Sequence, residues 1–193
     1  FGFRFLKKNL LVTFHPVTLE LASASSHFKE LIRALETLQE QHQGQLGVII
    51  THPNADSGRE EIMRELFAYV KATPQARDFA SLGHQGYLSA VSLCDVVIGN
   101  SSSGIYEVPF LSRPSVNIGD RQKGRPQPSS VFQVSPQAKD IALGTEKALA
   151  WRAEGMSNPY RSSVAAPQEI LKVIKSVRNP RSLLKKHFFD ASH

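Results

Sequence analysis

The sequence predicts an α/β fold: a parallel sheet with crossover helices on both faces. Three observations predict it. Short apolar runs alternate with amphipathic segments from Leu10 to Trp151, the signature of strands joined by helices. The runs are β-branched and almost uncharged, as in Val96-Val97-Ile98, which suits strands buried on both faces. Four of them end in loops of glycine, proline, asparagine or serine, at the carboxyl edge where such sheets bind ligands.

Taken in order, Leu10 to Phe14 is the first strand, ended by Pro16, which also forces extended geometry on His15. His15 thus stands at a strand's carboxyl end, where an imidazole serves as acid, base or phosphate donor, or simply as a bonded turn residue. Ser25 to Gln43 is a helix: Phe28, Leu31, Ile32, Leu35 and Leu38 recur at three- and four-residue steps, Ser25 or Ser26 can cap it, and Gly44 ends it. Leu46 to Ile50 is the second strand. Its loop carries Asn54, open to a ligand, and Asp56 and Ser57, read as caps for the helix Arg59 to Lys71 with Ile62, Leu66 and Val70 on one face. Phe79 to Leu82 reads as a short strand, Gly83 to Gly86 as a loop, and Tyr87 to Leu93 as a brief helix. After the strand that Asp95 opens, a helix from Ile105 is cut short near Pro109 and Pro114. Ser115 to Ile118 and Val131 to Val134 are the last strands, followed by helices over Lys139 to Trp151 and Pro167 to Val177.

Composition sets further bounds. A chain of 193 residues suffices for one domain, 1–193, with a real core. No apolar run is long enough to cross a bilayer. The single cysteine, Cys94, excludes an internal disulfide framework, fits a reducing, cytoplasmic compartment, and reads as an inert thiol beside the buried strand. A formal charge of +6 favours anionic ligands. The seven histidines lack metal-ligand spacing, so no metal is expected. The basic tail with Arg178, Arg181, Lys185 and Lys186 lacks interleaved stacking aromatics, which favours a packing helix over nucleic-acid binding. The opening Phe1 to Lys8 has no initiator Met and no element of its own, and reads as the middle of a longer protein.

The chemistry concentrates in Gly99-Asn100-Ser101-Ser102-Ser103-Gly104. A tight turn of small residues entering a helix offers free backbone N–H groups, a positive dipole end and hydroxyls, a setting for phosphate. The same serines could equally be caps. With Ser103 as N-cap, Glu107 sits about one turn in and leans back toward the same ligand. A carboxylate there repels phosphate but accepts hydrogen bonds from a neutral diol such as ribose. Together the turn and the glutamate describe a nucleotide site. Gly119 to Arg125 adds three cations in five residues, a second phosphate-binding loop or a solvated one.

Four pieces resemble the hydrolysing UDP-N-acetylglucosamine 2-epimerases of sialic acid synthesis and their legionaminic-acid relatives. They are Thr13-Phe14-His15-Pro16-Val17-Thr18, Pro53-Asn54-Ala55-Asp56, Ile98 to Gly104 with Glu107, and Val116-Asn117-Ile118-Gly119-Asp120-Arg121-Gln122-Lys123-Gly124-Arg125. They occur in the family's order; after Arg125 the sequence departs from it. The resemblance implies the C-terminal half of a two-domain, GT-B-like fold with Rossmann-like halves that binds a UDP-sugar in its cleft. It implies nucleotide contacts from His15, Asn54, Ser101, Ser102, Ser103, Glu107 and Arg121, with the backbone near Leu82 against the uracil. It implies elimination of UDP to a glycal and hydration with inversion at C2, without a cofactor. His15 is then the chain's own catalytic residue, and the acid/base carboxylates belong to an N-terminal domain that this sequence lacks. Homo-oligomer formation is left open, and no membrane or nucleic-acid partner is expected. Two other readings fit the residues: the donor domain of a GT-B-type glycosyltransferase, and a non-catalytic nucleotide-binding module.

Overall fold

The computed structural model describes residues 2–16, 21–161 and 166–185. Val17 and Thr18 of the first motif, and Lys186 of the tail, lie outside the described residues. The chain divides into two compact units, Phe1–Tyr160 and Arg161–His193.

In the first unit six strands lie parallel in the order β3-β2-β1-β4-β5-β6. They are β1 (Lys8–Thr13), β2 (Leu46–Thr51), β3 (Ala76–Phe79), β4 (Val96–Gly99), β5 (Ser115–Ile118) and β6 (Val131–Val134). The connecting helices are α1 (Leu21–Gln41), α2 (Arg59–Ala72), α3 (Gly83–Leu93), α4 (Ser103–Tyr106) and α5 (Ala138–Ala150). Alternation along the central strands sorts the core into two layers. Leu10, Val12, Val48, Ile50, Val96 and Ile98 pack with Phe28, Leu31 and Leu35 of α1, Ile62 and Leu66 of α2, and Ile141 of α5. Leu11, Ile49 and Val97 face the other way, against Ala90 and Val91 of α3. Helices therefore cover both faces, as the uncharged strands require. Cys94 belongs to the second layer, and burial pushes its thiol up to about 12.

Strands β2, β4, β5 and β6 fall within one residue of their expected bounds; other elements differ for physical reasons. Helix α1 starts at Leu21, so Ser25 and Ser26 lie inside it rather than capping it; leucine and alanine at its start are strong helix formers and extend it. Its end is as expected: Gly44, at φ +71°, donates its N–H to Gln39 O at 3.0 Å. Asp56 and Ser57 do not cap α2. Gly58 does so in the left-handed conformation (φ 88°) without a side-chain bond, and the Asp56 carboxylate instead accepts from Asn54 Nδ2 at 2.6 Å. Strand β3 lies three residues earlier than expected, and α3 begins at Gly83, absorbing the expected loop. An edge strand keeps polar residues, here Arg77 and Asp78, and so escapes a search for apolar runs.

The second unit carries α6 (Ala166–Ser176) and a 3-10 turn over Pro180–Leu183. Asn179 Oδ1 caps that turn by accepting from the Arg181 N–H at 3.2 Å.

Candidate functional site

The chain leaves β1 toward β2 on one side of the sheet and leaves β4 toward β5 on the other. This reversal opens a crevice at the carboxyl ends of β1 and β4, the place where such sheets bind ligands. Thr13 and Gly99 are register partners there. A Cβ on Gly99 would lie 1.9 Å from the Thr13 carbonyl oxygen, so glycine alone lets the two strand ends close up.

One step beyond, Asn100 bridges them. Its Oδ1 accepts from the His15 N–H and its Nδ2 donates to the His15 carbonyl, both at 2.8 Å. The residue is 1% exposed. Its own carbonyl accepts from Arg121 Nη1 at 3.1 Å and from Gln122 Nε2 at 2.8 Å. From the far side, the Asn54 N–H donates to His15 Nδ1 at 3.2 Å. The loops after β1, β4 and β5 thus meet at a single asparagine, and the loop after β2 joins them through His15.

Accepting at Nδ1 places the proton of a neutral His15 ring on Nε2. Burial, then the Arg121 guanidinium, lowers the imidazole pKa, with Asp56 opposing. His15 is a neutral ring presenting one N–H donor beside a fixed guanidinium.

The serine turn is divided in its work. Ser101 Oγ accepts from the Ser103 N–H at 3.3 Å, so its own proton is free to donate elsewhere. Ser102, half-exposed, takes the N-cap position that was expected of Ser103, and makes no side-chain cap bond. Ser103 is turned inward, its hydroxyl 2.6 Å from the Tyr87 hydroxyl. Helix α4 is one turn long and runs through Glu107 into a 3-10 turn, Val108–Leu111, that Ser112 ends in the left-handed conformation. With so short a helix the macrodipole is small, and attraction for an anion rests on the N–H groups, the hydroxyls and Arg121.

Glu107 is half-buried and makes no ion pair among the described residues. Burial foremost, with the Glu107 charge assisting, raises the Tyr87 phenol. Of the three loop cations, Lys123 pairs with Asp120 at 3.5 Å in solvent. Arg125, exposed, folds back along its own loop, donating to Gln122 Oε1 at 2.6 Å and lying over the Tyr106 ring at 5.5 Å. Arg121 is the cation that reaches the junction. Leu82 stands apart: it precedes α3 beside β3, three strand spacings or about 14 Å from β4, and its side chain packs into the second core layer. A cleft of 690 Å³, lined by Phe14, Asn100, Ile118, Gly119 and Arg121 among others, opens beside the junction.

Asn100, Gln122 and Tyr87 tie this arrangement together and were given no role from the sequence. Their partners are distant in the chain, and an asparagine in a serine-rich turn reads as a turn former.

The family model described as UDP-N-acetylglucosamine 2-epimerase matches residues 4–175. The chain is 34% identical over 95% of its length to a hydrolysing GDP/UDP-N,N'-diacetylbacillosamine 2-epimerase of Campylobacter jejuni, and 33% identical over 96% of its length to polysialic acid biosynthesis protein P7 of Escherichia coli. It spans about half the length of these curated relatives, 47% of each. Among solved structures, the UDP-GlcNAc 2-epimerase of Methanocaldococcus jannaschii, in complex with UDP-GlcNAc and UDP, superposes with a TM-score of 0.66. That superposition covers 89% of this chain and 46% of the archaeal one at 12% identity, and establishes the shared fold. By its matched sequence, its doubly covered parallel sheet and its relatives, the chain belongs to the UDP-N-acetylglucosamine 2-epimerase family.

Proposed function

We propose that this chain is the UDP-binding, C-terminal half of a hydrolysing UDP-N-acetylglucosamine 2-epimerase, which eliminates UDP and hydrates the resulting glycal to N-acetylmannosamine. The observation that carries the reading is the Asn100 junction. It gathers Arg121, the neutral His15, the Asn54 loop and the serine turn at one point of the sheet edge. The UDP complex of the archaeal neighbour supports the choice of ligand.

In this reading the diphosphate lies on the N–H groups and hydroxyls of Ser101 and Ser102, with Arg121 and the His15 Nε2–H beside it. Glu107 accepts from the ribose hydroxyls. The backbone near Leu82 faces the uracil, and Asn54 closes the His15 side. Elimination across C1–C2 develops negative charge on the departing diphosphate, and preorganised donors are worth most where charge develops. Removal of the C2 proton requires a positioned base. With Nδ1 taken by the Asn54 N–H and the proton on Nε2, His15 takes part as a donor to the departing diphosphate, while the carboxylates that carry the proton transfer at C2 belong to the partner half.

Titration calorimetry of UDP against uridine tests the site. UDP should bind more tightly, and without added metal, because the donors are built into the protein. Equal affinities would mean that the junction holds no phosphate site.

A further inference from the structure

Tyr87 lies on α3, away from the motifs that mark the nucleotide loops, yet its hydroxyl reaches under the serine turn. It is 2.6 Å from Ser103 Oγ, its one hydrogen bond among the described residues, and lies beside the Thr13 hydroxyl. Thr13 in turn accepts from Thr51 Oγ1 at 3.0 Å. Four hydroxyls therefore run in a row from the end of β2, across the end of β1, to the turn after β4. Ser103 is 9% exposed and Thr13 is 7% exposed, so solvent has little access to replace these bonds.

The geometry points to Tyr87 as the positioning residue of the serine turn. It ties Ser103 to α3, so that the Ser101 and Ser102 donors stay aimed at the crevice. This rests on the reading of the serine turn as the diphosphate seat. Ser103 donates its N–H to Ser101 Oγ, so a shift of Ser103 disturbs the hydroxyl beside it. Helix α4, a single turn long, has too few internal bonds to hold the turn unaided. A phenol anchored on a longer helix, α3 (Gly83–Leu93), supplies the missing constraint. Tyr87 touches no reacting atom in this scheme; it acts through Ser103.

The test compares UDP and uridine titrations of the full chain as wild type, Tyr87→Phe, Ser103→Ala and the double variant. Tyr87→Phe keeps the ring in the core and removes one hydrogen bond, so UDP affinity should fall about ten-fold while uridine affinity stays within about two-fold. Ser103→Ala removes the same bond from a small side chain, and should reproduce the loss even if Tyr87→Phe folds poorly. The double variant should lose no more than either single one, because both delete one interaction. Equal losses for UDP and uridine would mark a general loosening and overturn the proposal. So would unchanged UDP affinity in either single variant, or additive losses in the double. A wild-type chain that binds UDP and uridine alike would instead refute the phosphate site itself.

Discussion

Replacing Asn100 by alanine removes the bridge between the two strand ends without touching the backbone carbonyl that holds Arg121 and Gln122. Two hydrogen bonds of 2.8 Å are lost together. The His15 N–H and carbonyl are then left unpaired in a crevice where Asn100 was 1% exposed. A buried polar group without a partner costs about 1–3 kcal/mol. The pair should therefore cost roughly 2–6 kcal/mol, a large part of the 5–15 kcal/mol that a domain typically holds. Urea unfolding reads this directly: the midpoint should fall while the slope, set by the surface exposed on unfolding, stays the same. UDP affinity should fall with it, because His15 loses its place beside Arg121. Asn100→Asp sharpens the assay. It keeps the acceptor for the His15 N–H but sets a second acceptor against the His15 carbonyl, and it brings negative charge to the anion site, so UDP binding should suffer more than folding. A stability within about 0.5 kcal/mol of wild type for Asn100→Ala, the scatter of ordinary surface changes, would refute the bridge as the tie between the loops.

Glu107→Gln keeps an acceptor oxygen but removes the charge, so UDP binding should weaken by about 1–3 kcal/mol with little change in melting temperature; a large thermal loss with intact binding would make Glu107 structural. Folding lowers the His15 pKa, chiefly by burial. The unfolded chain therefore takes up the proton first, and this contribution to stability is complete above the ordinary imidazole value of 6.5 and lost as pH falls through it toward the lowered folded value. His15→Gln should flatten that acid slope in urea midpoints measured between about pH 7.5 and 5, and an unaltered slope would show that His15 is not its source. The chain alone should give no measurable epimerisation, since a lone general acid–base group supplies about 10²–10⁴-fold where enzymes typically need 10⁶-fold or more. Coupled detection of UDP release, with and without the other half of a relative added in trans, checks this, and brisk turnover by the chain alone would place the catalytic carboxylates within it.

Much of this was legible in the sequence because buried strands are written in contiguous apolar letters. Val96 to Ile98 and Ser115 to Ile118 could be placed to within a residue. Strand β3 was not, since Arg77 and Asp78 on an edge strand resemble a loop. Glycine misled in both directions. Gly83 and Gly86 read as a loop but lie in α3, whereas Gly58, which caps α2, was passed over for Asp56 and Ser57. At the site, residue types were readable and their orientations were not. Nothing local distinguishes Ser103, turned inward to Tyr87, from Ser102, or Arg121, bonded to the Asn100 carbonyl, from Arg125. Those choices are made by contacts between residues far apart in the chain, which spacing alone does not record.

The bridge from His15 to Asn100 spans 85 positions of the chain, and that separation bears on how the protein folds. Strand β1 can pair early with β2, its nearer neighbour in the chain, but its other edge must wait for β4. Until then it offers unpaired backbone groups, an open template for wrong partners. Closing a loop of that length is slow more than it is costly, because the entropy of closure grows only with the logarithm of its length. The crevice therefore comes into being only when the two halves of the sheet meet. A ligand that recognises the joined edge and not the separate pieces holds them together, so its concentration in the cell becomes one of the forces that set how much of this protein is folded.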